Sequence, residues 1–323
     1  MRLLMIGLLS GLLASGPAAC SRHAESASQP KAAIRVLCST FPMYLFTRAV
    51  TQGQAGVQVE LMIPAGMGCP HEYSLTPQDM QKIASANVFI ANGLGMEEFL
   101  GEPLKKANDK LIVIDTSEGV GDLIVLSPEP QDEHKRQAAP KEEGHHHAGS
   151  NPHLFASPKL AARIVANIAA GLARIDPAGA ELYRRNAQAY ADKLTQLGAE
   201  FASALKDAPK RKIVTEHAVF DYLARDCGLE IVAVVEEEPG QEPSASEMLD
   251  LVKSIKASAA AAMFTEPQYP AKVSRTIARE VGIPVAVLDP VANGPDNAAP
   301  DYYEKTMRAN LATLIQVLGS KVK

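Results

Sequence analysis

The chain has 323 residues, 46% of them hydrophobic and 21% charged, with a formal net charge of -5. That balance fits a soluble globular protein large enough for two ordinary domains. It argues against a nucleic-acid binder, which would present strongly basic faces.

In chain order, Met1-Arg2 gives a short positive start and Leu3 to Leu13 is apolar apart from Gly7, Ser10 and Gly11. Pro17-Ala18-Ala19 then forms a small-residue cleavage zone ending at Cys20. This reads as a secretory signal over residues 1–19, too short for a stop-transfer helix. A cysteine directly after the small residues predicts lipidation of Cys20, with plain cleavage as the alternative. The Ala/Ser-rich stretch of residues 20–32 reads as a flexible tether. Beyond Cys20 only Cys38, Cys69 and Cys227 remain, so an oxidising compartment allows at most one intramolecular disulfide. Either Cys38 pairs with Cys69, or Cys69 is a soft thiolate near a metal.

Ile34 to Cys38 is a β-branched, apolar run, and Pro42-Met43 begins a helix to about Gln52. Val57 to Ile63 reads as a second strand, and Thr76-Pro77 opens a helix because Thr caps and Pro suits the first helical position. Val88 to Ala91 and Leu111 to Ile114 are further strands, separated by a helix near Met96 to Lys106. Strands alternating with helices at this pitch predict a parallel sheet with helical crossovers. Residues 33–175 form the expected N-terminal lobe.

Residues 127–150 break the pattern: Pro, Glu, Lys, Gln and His dominate, and the segment is expected to be a disordered loop. Ser157-Pro158 starts a helix to about Ile175. Asp176-Pro177 caps another that runs to about Leu205, and residues 176–206 are read as a rigid connector spanning about 42 Å. Residues 207–323 repeat the grammar of the first half, with strands at Lys212 to Thr215, Glu230 to Val234, Ala261 to Phe264 and Val285 to Leu288. Helices are expected near Phe220 to Arg225, Ser244 to Lys256, Ala271 to Val281 and Asp301 to Leu318. The fold class is therefore α/β: two parallel-sheet lobes joined by a single long helix, with a site in the cleft between them.

Eight histidines occur in the chain. His71, His153 and His217 each stand alone, after a strand or before a helix, whereas His134, His145, His146 and His147 crowd the loop. Ligands of open parallel sheets bind outside the carboxyl ends of strands, which is where His71, His217, Glu266 and Asp289 follow their predicted strands. Three imidazoles with one carboxylate suit a tetrahedral or slightly expanded zinc shell. Blander readings stand beside these. Asp289-Pro290 and Glu266-Pro267 could each be turn initiators, Glu236 to Glu238 reads as a solvated loop, and the loop histidines are inert linker or weak zinc sites.

The pieces Pro70-His71-Glu72-Tyr73, Ala91-Asn92-Gly93-Leu94-Gly95, Pro152-His153-Leu154-Phe155-Ala156-Ser157-Pro158, Val214-Thr215-Glu216-His217, Phe264-Thr265-Glu266-Pro267-Gln268 and Leu288-Asp289-Pro290 occur in this order. Together they resemble the zinc/manganese substrate-binding family, the metal-specific solute receptors of ABC importers. That resemblance implies two α/β lobes linked by a long helix and metal-binding roles for His71, His153 and His217, with Asp289 as the fourth, carboxylate ligand. It leaves Glu266, a recurring family glutamate, unassigned as a ligand. Manganese-type members carry a carboxylate where His217 stands, which makes this chain zinc-type. Two departures are notable: the family usually has acids where Asn151 and Ser157 stand, and Cys69 beside His71 is unusual.

The implied function is capture of Zn(II) outside the cytoplasmic membrane and delivery to an ABC permease, by a monomer tethered through a lipid anchor. A manganese or iron receptor of the same family is the nearest alternative. A secreted zinc hydrolase would need an open coordination position and a general base, for which Glu216 is the obvious candidate. An additional adhesive role at the surface is compatible with the same sequence.

Overall fold

The β-branched runs Ile34–Cys38 (β1) and Val57–Leu61 (β2) pair in parallel in the computed structural model, which describes residues 34–68, 73–125, 149–236 and 242–319. Between them α1 (Phe41–Thr51) begins with Pro42 in its first turn, a position whose missing N–H costs nothing. Next, α2 (Pro77–Ser85) starts at a capping box: Asp79 N–H donates to Thr76 Oγ1 at 3.2 Å, and Thr76 N–H donates to the Asp79 carboxylate at 2.9 Å. The strands β3 (Val88–Ala91) and β4 (Ile112–Asp115) complete a parallel sheet in the order β2-β1-β3-β4. The helix expected from Met96 begins later, as α3 (Gly101–Ala107) after a short 3-10 turn. The reason is Glu97, whose carboxylate folds back to accept the N–H groups of Asn92 at 2.7 Å and Gly93 at 3.1 Å.

Two helices follow, α4 (Pro158–Ile175) and α5 (Ala180–Leu205). The second is 26 residues long, about 39 Å at 1.5 Å per residue. It starts later than Asp176-Pro177 because Asp176 Oδ2 accepts from Tyr183 Oη at 2.7 Å and Gln54 Nε2 at 3.0 Å, which holds residues 176–179 as a turn. Tyr183, Ala187, Tyr190, Leu194, Leu197, Phe201 and Leu205 are all buried at spacings of three or four residues, one apolar stripe along the helix.

The second sheet repeats the first. Its strands β5 (Lys212–Thr215), β6 (Glu230–Val234), β7 (Ala262–Thr265) and β8 (Val285–Val287) lie parallel in the order β6-β5-β7-β8. Its helices are α6 (Asp221–Cys227), α7 (Ala245–Ser258) and α8 (Lys272–Val281). The last helix, α9 (Tyr302–Leu318), returns to the first lobe. Tyr303 packs edge-on against Phe46 at 5.1 Å, Tyr302 against Phe41 at 5.8 Å, and Arg48 donates to the Ala298 carbonyl at 3.0 Å. One hydrophobic cluster consequently runs through both lobes, joining Phe46, Leu197, Phe220 and Tyr303.

Cys38 carries a free thiol in the core, so the pairing with Cys69 is not made; Cys69 itself lies outside the described residues. Burial pushes the Cys38 thiol up to about 12, which makes it an inert apolar side chain. The expected loop ends earlier than residue 150. Ser150 pairs antiparallel with Val125, and Asn151 N–H donates to the Ile124 carbonyl at 2.7 Å. Cys20, His71, His134 and His145 to His147 fall outside the described residues. No helix among those described is long and apolar enough to cross a membrane.

Because Leu194 is fully buried on the α5 stripe, Leu194→Ala should cost about 2–5 kcal/mol. Denaturant unfolding of the purified protein measures this directly, and a loss below about 1 kcal/mol would mean the stripe is not the joint core.

Candidate metal centre

In the second lobe the topology changes direction between β5 and β7, so a crevice opens at their carboxyl ends. Residues 216 and 217 leave β5 there, and Glu266 leaves β7 beside them. His217 and Glu266 are each only 2% exposed, and His217 Nδ1 lies 2.5 Å from Glu266 Oε1. Glu266 Oε2 accepts from Gln268 Nε2 at 2.7 Å. Both His217 ring nitrogens are buried without a well-directed hydrogen bond among the described residues, the Nδ1–Glu266 Oε1 approach being a close polar contact.

His153 arrives from the other side. Asn151 Oδ1 accepts its backbone N–H at 2.9 Å and lies 2.8 Å from its Nδ1. A 3-10 turn (Leu154–Ala156) follows, and Ser157 then caps α4, accepting the Leu160 N–H at 3.3 Å while its hydroxyl donates to Asp226 of α6 at 2.7 Å. The His153 and His217 rings meet edge-on with centroids 5.5 Å apart, and Tyr269 stands 5.8 Å from His217 on another side. Two first-lobe loops reach the same place. Asn92, after β3, donates to the Pro152 carbonyl at 2.9 Å. Gly68, three residues before His71, passes so close to Tyr269 that a Cβ there would stand 2.6 Å from Tyr269 Oη.

Asp289 follows β8 and is partly buried. Its turn-initiator reading holds: Val291 N–H donates to Asp289 Oδ1 at 2.8 Å, and Val291 takes a left-handed φ of 63°. Asn310 of α9 grips the Asp289 backbone from both sides, accepting its N–H at 2.9 Å and donating to its carbonyl at 2.7 Å. The structure thus brings His153, His217 and Glu266 together. No group of three or more His, Cys, Asp or Glu side chains suited to a metal occurs among the described residues.

Glu216, the candidate base, is turned inward. Its Oε2 accepts the Glu266 N–H at 3.0 Å and its Oε1 accepts the Ser274 hydroxyl at 2.9 Å, so it laces the loops after β5 and β7 together. Glu236, expected on a solvated loop, is only 7% exposed because its N–H donates to the Glu216 carbonyl at 2.8 Å, extending the sheet pairing past β6. Burial raises the carboxyls of Glu216, Glu266, Asp221 and Asp289 above the usual range; contact with His217 works the other way on Glu266. In the first lobe the equivalent crevice, between β1 and β3, is served by the protein's own Glu97. Burial pushes that carboxyl up to about 7 against the lowering pull of the Asn92 and Gly93 N–H groups. Sequence reasoning noted Asn151 without a role and missed Asp221, Tyr269 and Ser274, whose contacts reach across the chain.

Residues 36–317 match the family described as zinc-uptake complex component A, periplasmic. The chain belongs to that family. It is 32% identical over 311 residues to the zinc-binding lipoprotein AdcA of Streptococcus pneumoniae (strain ATCC BAA-255 / R6), covering 96% of this chain and 60% of that protein. It is also 32% identical over 275 residues to the high-affinity zinc uptake system protein ZnuA of Bacillus subtilis, covering 84% of this chain and 83% of that one. The chain spans little more than half the length of the streptococcal relatives it matches. Among solved structures it resembles the binding protein FpvC of Pseudomonas aeruginosa in complex with Mn2+, with a TM-score of 0.74, 30% identity, and coverage of 88% of this chain and 98% of that one. The two-lobed α/β architecture is thus the family's own.

The Glu97 carboxyl binds its proton more tightly in the folded chain than in the unfolded one. Its contribution to stability is therefore complete below about pH 4.3 and lost as pH rises through about 7. The melting temperature of the native protein should fall relative to Glu97→Gln between those limits; parallel melting profiles would show that the carboxyl is not held as described.

Proposed function

We propose that this chain is an extracytoplasmic receptor that captures Zn(II) and hands it to an ABC-type permease for import. His217 carries the reading: a buried imidazole whose Nε2 has no partner among the described residues and whose Nδ1 lies against a buried carboxylate. Metal-ligating histidines are typically held that way through their second nitrogen. His71, His153, His217 and Asp289 form the proposed ligand set. Burial penalises the ionised forms of Glu266 and Asp289, a cost that a bound cation would offset. Nitrogen-rich donors favour zinc over the harder manganese.

Turnover has no place in this reading, because both oxygens of Glu216 are engaged in joining two loops. A manganese receptor is the second reading, supported by the likeness to FpvC in its Mn2+ complex. Lipidation at Cys20 would tether the receptor to the membrane. The loop histidines His134 and His145 to His147 would add weak zinc sites that feed the cleft.

His217→Ala should lower zinc affinity by more than the about 10- to 100-fold that loss of a supporting residue costs, read by competition with a chelator. His217→Glu should move preference toward manganese by trading a borderline nitrogen for a hard oxygen. Wild-type zinc binding in the first variant, or an unchanged preference in the second, would place the site elsewhere. Deleting residues 129–148 should reduce zinc stoichiometry and slow loading at scarce zinc, while the tight site keeps its affinity. Equal stoichiometry would reduce those histidines to a spacer.

A further inference from the structure

Asn151 is fully buried and every polar group it carries is engaged. Its N–H donates to the Ile124 carbonyl at 2.7 Å, and its own carbonyl accepts the Tyr222 hydroxyl at 2.8 Å. In the side chain, Oδ1 faces both the His153 N–H and Nδ1, while Nδ2 donates to the Ala218 carbonyl at 2.6 Å and to Asp221 Oδ2 at 3.0 Å. The amide cannot be turned round. Reversal would set its NH2 against a backbone N–H and its oxygen against a carbonyl and a carboxylate. An amide oxygen only accepts, so the proton of neutral His153 sits on Nδ1 and the lone pair on Nε2.

We infer that Asn151 is a positioning residue for the metal site, fixing the His153 tautomer with one end of its amide while tying down the loop after His217 with the other. This rests on the receptor reading above. Ala218 directly follows His217, so a single amide holds segments that carry both imidazoles. Neutrality is essential to the double role. A carboxylate at position 151 would remove the donor to Ala218 and stand against Asp221. The same logic holds at position 157, where the Ser157 hydroxyl faces Asp226. Both acids lie on α6, so that helix favours neutral partners at positions 151 and 157.

The test is two-bond 1H–15N correlation of the histidine rings in zinc-free protein near about pH 8, above the ordinary imidazole value of about 6.5, paired with chelator-competition titration of zinc. Wild-type protein should show His153 as a single Nδ1–H tautomer. Asn151→Ala should give a mixture and lose about 10- to 100-fold in zinc affinity. Asn151→Asp keeps the acceptor, so it should restore the Nδ1–H tautomer while still binding zinc more weakly than wild type. A pure Nδ1–H pattern with wild-type affinity in Asn151→Ala would overturn the inference. If Asn151→Ala fails to fold, Asn151→Asp decides alone: wild-type affinity, or loss of the Nδ1–H form, overturns it. Wild-type protein that shows the Nδ1–H tautomer but binds no zinc would overturn the receptor reading and leave the amide's role standing.

Discussion

Burial of the α5 stripe is the constraint on which the rest of the molecule depends. Residues from both lobes pack into one cluster along this helix, and α9 closes the cluster from the far side through Tyr303, whose hydroxyl donates to the Phe155 carbonyl at 2.7 Å. That bond fixes the turn immediately after His153 to a helix of the second lobe. A continuous helix offers no loop residue to absorb the large φ/ψ changes of a hinge. The separation between the two halves of the crevice is thereby set by packing rather than by whatever occupies it.

Within that frame the imidazoles of His153 and His217 are supported by different chemistry. His217 leans on a buried carboxylate, His153 on a neutral amide. A carboxylate raises the basicity of the ring it braces, and an amide does so far less. In the proposed site the pair would combine one electron-rich donor with one chiefly fixed in direction. Asp289 is treated differently again: its backbone is clamped by Asn310 and its Oδ1 closes a turn, so the position of the carboxyl is set by α9.

Local periodicity made the fold legible. All eight described strands fall within a residue or two of their expected places, because each is a short apolar run between clear breakers. The misses occurred where a side-chain hydrogen bond, rather than periodicity, decided the backbone. Glu97 converted the expected start of α3 into a turn, and Asp176 delayed α5. At the site, His217 was legible as a lone histidine after a strand, and its closeness to His153 followed from the resemblance. Glu266 was noticed but left without a role, since only the pairing of β5 with β7 puts it against His217. Asn151 was recorded as a departure from the family pattern, yet its meaning depends on Asp221, seventy residues later.

The Val125–Ser150 bridge has an evolutionary corollary. Val125 and Ser150, twenty-five positions apart, meet at a single pinned point, with Asn151 anchored immediately beyond it. Closing a segment whose ends already meet costs only about 0.6 kcal/mol more for each doubling of its length. Histidines can therefore be added or lost between those two residues in successive generations with almost no penalty to folding. Asn151 and His153 are shielded from such drift by a bridge one residue wide. The content of the intervening segment and the placement of His153 can thus change under selection as separate traits.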